Sequence, residues 1–140
     1  MTTAIDTNII IALWDKNASL NYTAQSALEA AFSRGNLVIS APVFAELMAA
    51  RGRTESFLTT FLEATGIFVD WTLEERVWRS AGKAFQWYGE RRRRQRAGAV
   101  RRILADFLIG AHAQVNGYSL LTMDHRLYKA AFPQLKIHMI

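Results

Sequence analysis

Four acidic side chains each follow a short apolar run of the sequence: Asp6, Glu46, Asp106 and Asp124. Such runs are typical of buried parallel strands, whose ends meet at one edge of a sheet. Carboxylates a few ångströms apart repel strongly in a partly dry cleft, so gathering them requires a cation between them. The pattern therefore predicts a site for a hard divalent ion with oxygen ligands.

Each acid alone also admits an ordinary structural role. Asp6 precedes a predicted helix and could cap it, and Asp124 could be a turn or capping residue. Glu46 could be an exposed helix acid, but it and Asp106 stand among apolar residues, where a lone carboxylate is costly without a partner or a metal. A metal site accounts for all four with one cause, whereas the structural reading needs a separate cause for each.

The charge of the chain is unevenly distributed. Its net charge is +5 and its isoelectric point is about 10.0. Ten basic residues and a single acid, Glu90, lie between Arg76 and Arg102. Such a positive segment suits a polyanion, nucleic acid above all, although a solvated arginine face kept for solubility remains an alternative. The candidates for contact with a nucleic-acid backbone are Arg91, Arg92, Arg93, Arg94, Arg96, Arg101 and Arg102.

Composition excludes several classes of protein. The chain has no cysteine, which rules out disulfides, zinc fingers, iron–sulfur ligation and a cysteine nucleophile. The N-terminus lacks the pattern of a signal peptide, and the apolar stretch from Ile9 to Trp14 is too short to span a bilayer. We expect a cytoplasmic protein without membrane contact, folded as one domain over residues 1–140.

Strand and helix patterns alternate along the chain. A long helix is predicted to begin at a capping box formed by Thr72 and Glu75, with a break near Gly98. The predicted strands are Thr3–Asp6, Leu37–Ser40, Ile67–Trp71, Tyr118–Thr122 and Leu135–Met139. Asn8–Trp14 is predicted to be a helical turn that leads into a longer helix, Leu20–Arg34. The other predicted helices are one starting at Pro42, Glu55–Ala64, Asp106–Asn116 and His125–Phe132. This alternation predicts a three-layer α/β/α sandwich with a mainly parallel sheet of about five strands.

This fold class predicts where the acids lie. In such sheets, ligands bind beyond the carboxyl ends of the strands. Asp6 ends the first strand, Asp124 follows the fourth by two residues, and Glu46 lies within two helical turns of the second. We therefore expect these three carboxylates at the same edge.

Asp106 reaches that edge on a helix. Gly110 and Ala113 share its stripe, and their small size would let the helix lie close to the sheet. His112 lies about 240° around the helix from Asp106 and is predicted to point away from the acids. A hard divalent site does not call for imidazole.

Four stretches together resemble PIN-domain nucleases, and most closely the VapC-type toxins of toxin–antitoxin pairs. The stretches are Ile5–Ile10, Ser40–Leu47, Leu104–Ala113 and Leu120–Tyr128. The resemblance implies that Asp6, Glu46, Asp106 and Asp124 hold Mg²⁺ or Mn²⁺, and that Asn8 and Thr122 orient those carboxylates. It further implies an endoribonuclease that uses a metal-activated water, a cognate antitoxin and a homodimer. Gly110 departs from the family pattern, in which alanine is common at this position.

Two other functions remain open at this point. One is a noncatalytic nucleic-acid-binding domain with structural acids, and the other is a PIN nuclease that acts in RNA processing rather than as a toxin. Metal-dependent hydrolysis distinguishes the first from a nuclease. Phosphoryl transfer of the haloacid-dehalogenase type is disfavoured, because Asn8 stands where that chemistry needs a second aspartate.

Overall fold

Five parallel strands form the centre of the protein, as a computed structural model describes it for residues 1–17, 19–95 and 103–140. The strands lie in the order β3-β2-β1-β4-β5. Their bounds are Thr2–Ile5 for β1, Asn36–Ser40 for β2, Phe68–Asp70 for β3, Ser119–Thr122 for β4 and Ile137–Met139 for β5. Every neighbouring pair is parallel, which confirms the predicted fold class.

The central strands are buried on both faces. All four residues of β4 and the last four of β2 are inaccessible to solvent, so their side chains are apolar or small on both sides rather than alternating with polar ones. β1 lies between them, with Ala4 opposite Val38 of β2 and Leu120 of β4. The three strands therefore form the rigid base from which the polar residues at their carboxyl ends extend.

Helices connect consecutive strands. Their bounds are Thr7–Trp14 for α1, Asn21–Arg34 for α2, Ala41–Met48 for α3, Glu55–Thr65 for α4, Glu75–Gln95 for α5, Leu104–Val115 for α6 and His125–Ala131 for α7. Right-handed crossovers place α1 to α4 on one face of the sheet, because β1, β2 and β3 follow each other in one direction. The chain then returns across the sheet to β4 and β5, which places α5 to α7 on the other face.

The predicted element boundaries agree with the structure to within about two residues, except at the start of α5. That helix begins at Glu75, and the backbone N–H of Thr72 donates to Asp70 Oδ1 at 3.0 Å in a turn before it. The capping box predicted for Thr72 and Glu75 is therefore wrong, because the aspartate at the end of β3 forms the turn that precedes the helix. The predicted break near Gly98 lies outside the described residues, as do Arg96, Arg101 and Arg102.

Gly110 closely approaches the aromatic ring of Phe132. A Cβ atom at this position would lie 2.3 Å from Cε2 of Phe132, the residue that ends α7. Phe132 is itself buried, so its ring has little room to move. Glycine at position 110 thus lets α6 and the end of α7 pack together, and the stripe of small residues predicted to face the sheet has this second role.

Within the described part of the chain, no helix is both long enough and apolar enough to cross a membrane.

Candidate functional site

An open cleft of about 470 Å³ lies at the carboxyl edge of the sheet. β1 and β4 are neighbours here. From β1 the chain continues to β2 and β3 on one side, and then returns to β4 and β5 on the other side, so the strand order reverses between β1 and β4. Such a reversal opens a crevice in parallel sheets. The residues that line the cleft are Asp6, Thr7, Asn8, Ile11, Ala12, Asp15, Glu46, Asp106 and Asp124. The structure thus brings all four predicted acids into one cleft.

Asp6 is the most buried of these acids, with 5% of its surface exposed. It directly follows β1 at the N-cap of α1, where Oδ1 accepts a hydrogen bond from the backbone N–H of Thr7 at 2.8 Å. The hydroxyl of Thr122 donates to Oδ2 at 2.7 Å. Burial raises the pKa of Asp6 to about 6; the two hydrogen bonds oppose this rise, and the charges of Asp106 and Glu46 add to it.

Thr122 joins two of the acids. Its hydroxyl donates to Asp6 and accepts a hydrogen bond from the backbone N–H of Asp124 at 2.9 Å. Thr122 is fully buried at the end of β4, so its rotamer is held by packing. One hydroxyl therefore fixes an oxygen of Asp6 and the start of the segment that carries Asp124.

Glu46 lies on α3, the helix that follows β2. Its Oε1 accepts a hydrogen bond of 2.6 Å from the hydroxyl of Thr7, a residue 39 positions earlier in the chain. Thr7 therefore binds Asp6 through its backbone N–H and Glu46 through its side chain. Sequence analysis did not single out Thr7, although a hydroxyl residue directly after the first aspartate is the signal that could have identified it.

Asp106 occupies the first turn of α6. Its Oδ2 accepts a long hydrogen bond of 3.4 Å from the backbone N–H of Ile103, the residue before the helix. A carboxylate in this position also interacts favourably with the positive end of the helix dipole. These contacts orient Asp106 toward the start of α6, at the same edge of the sheet as Asp6.

Asn8 contacts the backbone of the neighbouring segment. Its Oδ1 accepts a hydrogen bond from the backbone N–H of Met123 at 3.3 Å. Met123 lies between Thr122 and Asp124, so this bond holds the chain that leaves β4 against the start of α1. The resemblance implied that Asn8 orients a carboxylate, and this contact positions the backbone next to Asp124.

The donor set of the cleft fits a hydrated divalent ion. Its acidic donors are all oxygens, the ligands that Mg²⁺ and Mn²⁺ prefer. Among residues 1–17, 19–95 and 103–140, no three His, Asp or Glu side chains form a group that could hold an ion directly. Mg²⁺ commonly keeps several waters and binds through one or two carboxylates. The cleft therefore suits an ion held partly through water.

Tyr128 is a further residue at the acids that sequence analysis missed. It lies on α7, one helical turn after Asp124, and is almost completely buried. Burial raises the pKa of its phenol above the usual range, and the charges of Asp6, Asp106 and Asp124 and a hydrogen bond to Asp6 raise it further. Tyr128 thus adds a neutral hydroxyl to the floor of the acidic site.

His112 faces away from the cleft, as predicted from its position on α6. It is fully buried, and its Nε2 lies 2.9 Å from Oδ2 of Asp70 at the end of β3. Burial tends to raise the pKa of Asp70, but its hydrogen bonds to the His112 ring and to the Thr72 N–H, together with the charge of His112, lower it below the usual value. The pair connects α6 to the sheet and has no place among the cleft residues.

Arginines 91–94, in the last turns of α5, lie toward the same end of α6 as Asp106. α5 packs along α6, with the rings of Phe85 and Tyr88 centred 4.9 and 5.7 Å from the ring of Phe107. Residues 91–94 follow Tyr88 by three to six positions, or about 4.5–9 Å along the helix. The guanidinium of Arg91 lies 5.3 Å from the ring of Trp87. Four of the seven predicted nucleic-acid contacts therefore lie near the end of α5 that approaches the start of α6, the helix that carries Asp106.

Taken together, these features define an α/β protein of the all-parallel, three-layer class with an acidic cleft at its strand reversal. A family model for the PIN domain matches residues 3–133. The chain therefore belongs to the PIN-domain family, which confirms the resemblance found in its motifs. No curated protein matches the chain by sequence at a significant level.

Several solved structures share this fold along nearly the whole chain. VapBC2 from Rickettsia felis, solved with a DNA fragment from their promoter, is similar at 20% identity and a TM-score of 0.72, over 100% of this chain and 99% of that one. FitAcB from Neisseria gonorrhoeae is 19% identical with a TM-score of 0.66, over 96% and 95%. VapC20 from Mycobacterium tuberculosis, a sarcin–ricin loop cleaving toxin, is 15% identical with a TM-score of 0.60, over 96% and 98%. At these identities the similarity establishes the fold.

Proposed function

We propose that this protein is a metal-dependent endoribonuclease that hydrolyses RNA phosphodiester bonds and serves as the toxin of a toxin–antitoxin pair. The observation that carries the proposal is the convergence of Asp6, Glu46, Asp106 and Asp124 on one cleft from four separate segments of the chain. Membership of the PIN-domain family supports it. So does the basic end of α5, which lies on the Asp106 side of the fold.

The proposed ion is Mg²⁺ or Mn²⁺. Asp6 and Asp106 are the proposed direct ligands, and Glu46 and Asp124 would bind the ion directly or through water. When bound, such an ion acidifies a water molecule and neutralises charge that builds on the phosphate in the transition state. The four carboxylates explain why the ion is needed, since their mutual repulsion and the burial of Asp6 disfavour the fully ionised site without it.

The chain's own residues orient the carboxylates in this proposal. Thr122 and the backbone of Thr7 fix both oxygens of Asp6, and the Thr7 hydroxyl fixes Glu46. Hydrogen bonds of this kind set the orientation of ligating carboxylates and tune their affinity for the metal. Arg91, Arg92, Arg93 and Arg94, with Arg96, Arg101 and Arg102, are proposed to contact the RNA backbone without reading its sequence.

The related structures support an antitoxin partner. Similar folds were solved as VapBC and FitAB assemblies and as a toxin–antitoxin complex from Klebsiella pneumoniae. We therefore include a cognate antitoxin protein in the proposal. We also propose a homodimer, which the resemblance to VapC-type toxins implies, and a location in the cytoplasm, where RNA is available. A PIN nuclease of RNA processing shares the same chemistry but has no antitoxin.

Induced expression in a bacterial host tests both parts of the proposal. Wild-type protein is expected to arrest growth and to generate new 5′-phosphate ends in total cellular RNA within minutes, whereas Asp6→Asn and Asp106→Asn do neither. Glu63→Gln, an exposed charge on α4, is the matched control and should behave as wild type. New RNA ends without growth arrest would favour a function in RNA processing. If wild type and both aspartate variants generated the same number of new RNA ends, the proposed nuclease activity of these carboxylates would be wrong.

A further inference from the structure

A second groove continues from the acidic cleft. It has a volume of about 810 Å³ and is lined by Ile11, Leu13, Trp14, Asp15, Lys16, Asn17, Ala50, Arg51, Arg53 and Phe57. Ile11 and Asp15 line both the groove and the acidic cleft. The two depressions therefore adjoin along the end of α1, so that a chain bound in one can extend into the other.

Arg53 occupies a fixed position in this groove. Its Nη2 donates to the backbone oxygen of Trp14 at 2.9 Å, and its guanidinium carbon lies 5.7 Å from the Trp14 ring and 5.0 Å from the Phe57 ring. The two rings contact each other edge to face, with centroids 5.2 Å apart. Such cation–π contacts and the hydrogen bond hold the planar cation in place before any ligand arrives.

Two further cations border the groove. Lys16 lies in the turn after α1 and Arg51 in the turn after α3, and both side chains are exposed. Among the described residues that line the groove, these two cations and Arg53 oppose one acid, Asp15. The groove is therefore net positive beside a cleft that is strongly negative. An anionic polymer whose reacting phosphate sits among carboxylates needs cations of this kind on the flanking phosphates.

We propose that this groove, which we call the Arg53 groove, is a subsite for the single-stranded segment of RNA that flanks the bond to be cleaved. Lys16 and Arg51 contact its phosphates, and a base stacks against the guanidinium of Arg53. Stacking on arginine planes requires unpaired bases, because the bases of a duplex are already stacked inside it. The inference rests on the proposed ribonuclease function, whose phosphate site it extends.

RNA binding without cleavage tests the Arg53 groove. The probe is a fluorescently labelled 12-nucleotide RNA of mixed sequence, measured by anisotropy in EDTA at several salt concentrations. The variants are wild type, the double variant Lys16→Ala and Arg51→Ala, and Arg34→Ala as control, since Arg34 is an exposed cation before β2 at the opposite edge of the sheet. Losing two phosphate contacts should reduce the steepness of the plot of log binding constant against log salt concentration by about 1.4. Binding should weaken about 25-fold at 0.1 M salt. Arg34→Ala should stay within about twofold of wild type.

Photo-crosslinking locates the strand directly. The same RNA with 4-thiouridine substitutions should crosslink to peptides spanning residues 13–17 or 50–57, and the corresponding duplex should not. Binding by the double variant equal to that of Arg34→Ala, absence of RNA binding, or preference for the duplex would overturn the proposal. A double variant that loses affinity for an antitoxin peptide but not for RNA would also overturn it, because the occupant would then be a protein.

The outcomes separate this inference from the proposed function. RNA that binds through Lys16 and Arg51 but is never cleaved in Mg²⁺ or Mn²⁺ supports the subsite and contradicts the nuclease. Metal-dependent cleavage by a double variant whose RNA affinity matches that of Arg34→Ala contradicts the subsite alone.

Discussion

The hydroxyl of Thr122 donates to Oδ2 of Asp6 at 2.7 Å, although the two residues are 116 positions apart in the chain. Parallel pairing of β1 with β4, in which Ile5 lies opposite Leu121, brings their ends together. The same hydroxyl accepts the N–H of Asp124. Thr122 therefore fixes the geometry between the first and fourth acids of the cleft without adding a charge of its own.

Removing this hydroxyl should impair the site without unfolding the protein. Thr122→Val keeps the shape of the side chain but leaves Asp6 without one of its donors, and loss of such a partner typically costs about 10–100-fold in metal affinity or activity. Thr122→Ser keeps the hydroxyl and should stay within a few-fold of wild type. Mn²⁺ affinity and RNA cleavage rates of the three proteins, measured side by side, check this. Equal Mn²⁺ affinity in wild type and Thr122→Val would contradict the role assigned to the hydroxyl.

Asp6 should make the metal-free protein less stable as pH rises. Its pKa is about 6 in the folded state against an ordinary value of 3.8, so between these values the folded protein keeps a proton that the unfolded chain has lost. Stability therefore falls from about pH 4 to pH 6, by up to about 3 kcal/mol. Urea unfolding in EDTA at pH 4, 5, 6 and 7 should show this decline in wild type but not in Asp6→Asn. Parallel pH profiles of the two proteins would rule out the effect.

Mg²⁺ should reverse this loss at pH 7, because it binds the ionised folded state and stabilises it by mass action. Millimolar Mg²⁺ is expected to raise the melting temperature of wild type and to leave that of Asp6→Asn nearly unchanged. Differential scanning fluorimetry over a range of Mg²⁺ concentrations measures both responses. An equal rise in both proteins would place the stabilising ion elsewhere.

Two glycine substitutions should have opposite effects on stability. Gly110→Ala places a methyl group 2.3 Å from the buried Phe132 ring and should destabilise by about 1–3 kcal/mol through overpacking. Gly82→Ala on α5 meets nothing within 4 Å and should stabilise by about 0.5–1 kcal/mol through helix propensity. Chemical denaturation of each variant checks the signs. Phe132→Leu should relieve part of the cost of Gly110→Ala; additive effects of the two changes would argue against their contact.

The pair formed by buried His112 and partly exposed Asp70 should contribute to stability above the acid range. Because the pKa of Asp70 is lowered in the folded state, its contribution is complete above the ordinary value of 3.8 and disappears as pH falls through the folded value. Asp70→Asn should cost about 1–2 kcal/mol at pH 7, and the deficit should disappear as pH falls through the lowered pKa of Asp70. Denaturation curves at pH 7 and at a series of acidic pH values, with Glu63→Gln as surface control, measure it. A deficit that persists in acid would contradict the charge-based account.

The fold was predictable because its signals are local. Continuous apolar runs such as Leu37–Ser40 identify buried parallel strands. Glycines such as Gly117, with its φ of 72°, mark the place where a helix has ended and the next strand is about to begin. Alternation of these elements is enough to determine the layers and the direction of the strands. It also places Asp6 and Asp124 at one edge, since they follow adjacent parallel strands by one and two residues.

The contacts that the sequence did not reveal join residues distant in the chain. Thr7 and Glu46 are 39 positions apart, and Asp70 and His112 are 42 apart. No periodicity relates such partners, so their pairing depends on crossover geometry that only the structure supplies. The predicted capping box of α5 failed for a local reason, since Asp70 accepts the Thr72 N–H that Glu75 would accept in such a box.

The most direct test of the central claim is cleavage of a labelled RNA by metal-stripped protein before and after a divalent ion is added back. Wild type should be inactive in EDTA and should regain cleavage on adding Mg²⁺ or Mn²⁺, leaving 5′-phosphate and 3′-hydroxyl ends. Asp6→Asn and Asp106→Asn should remain inactive at every metal concentration, while Glu63→Gln follows wild type. Cleavage that persists in excess EDTA, or that both aspartate variants retain, would contradict a divalent-metal nuclease built on these carboxylates.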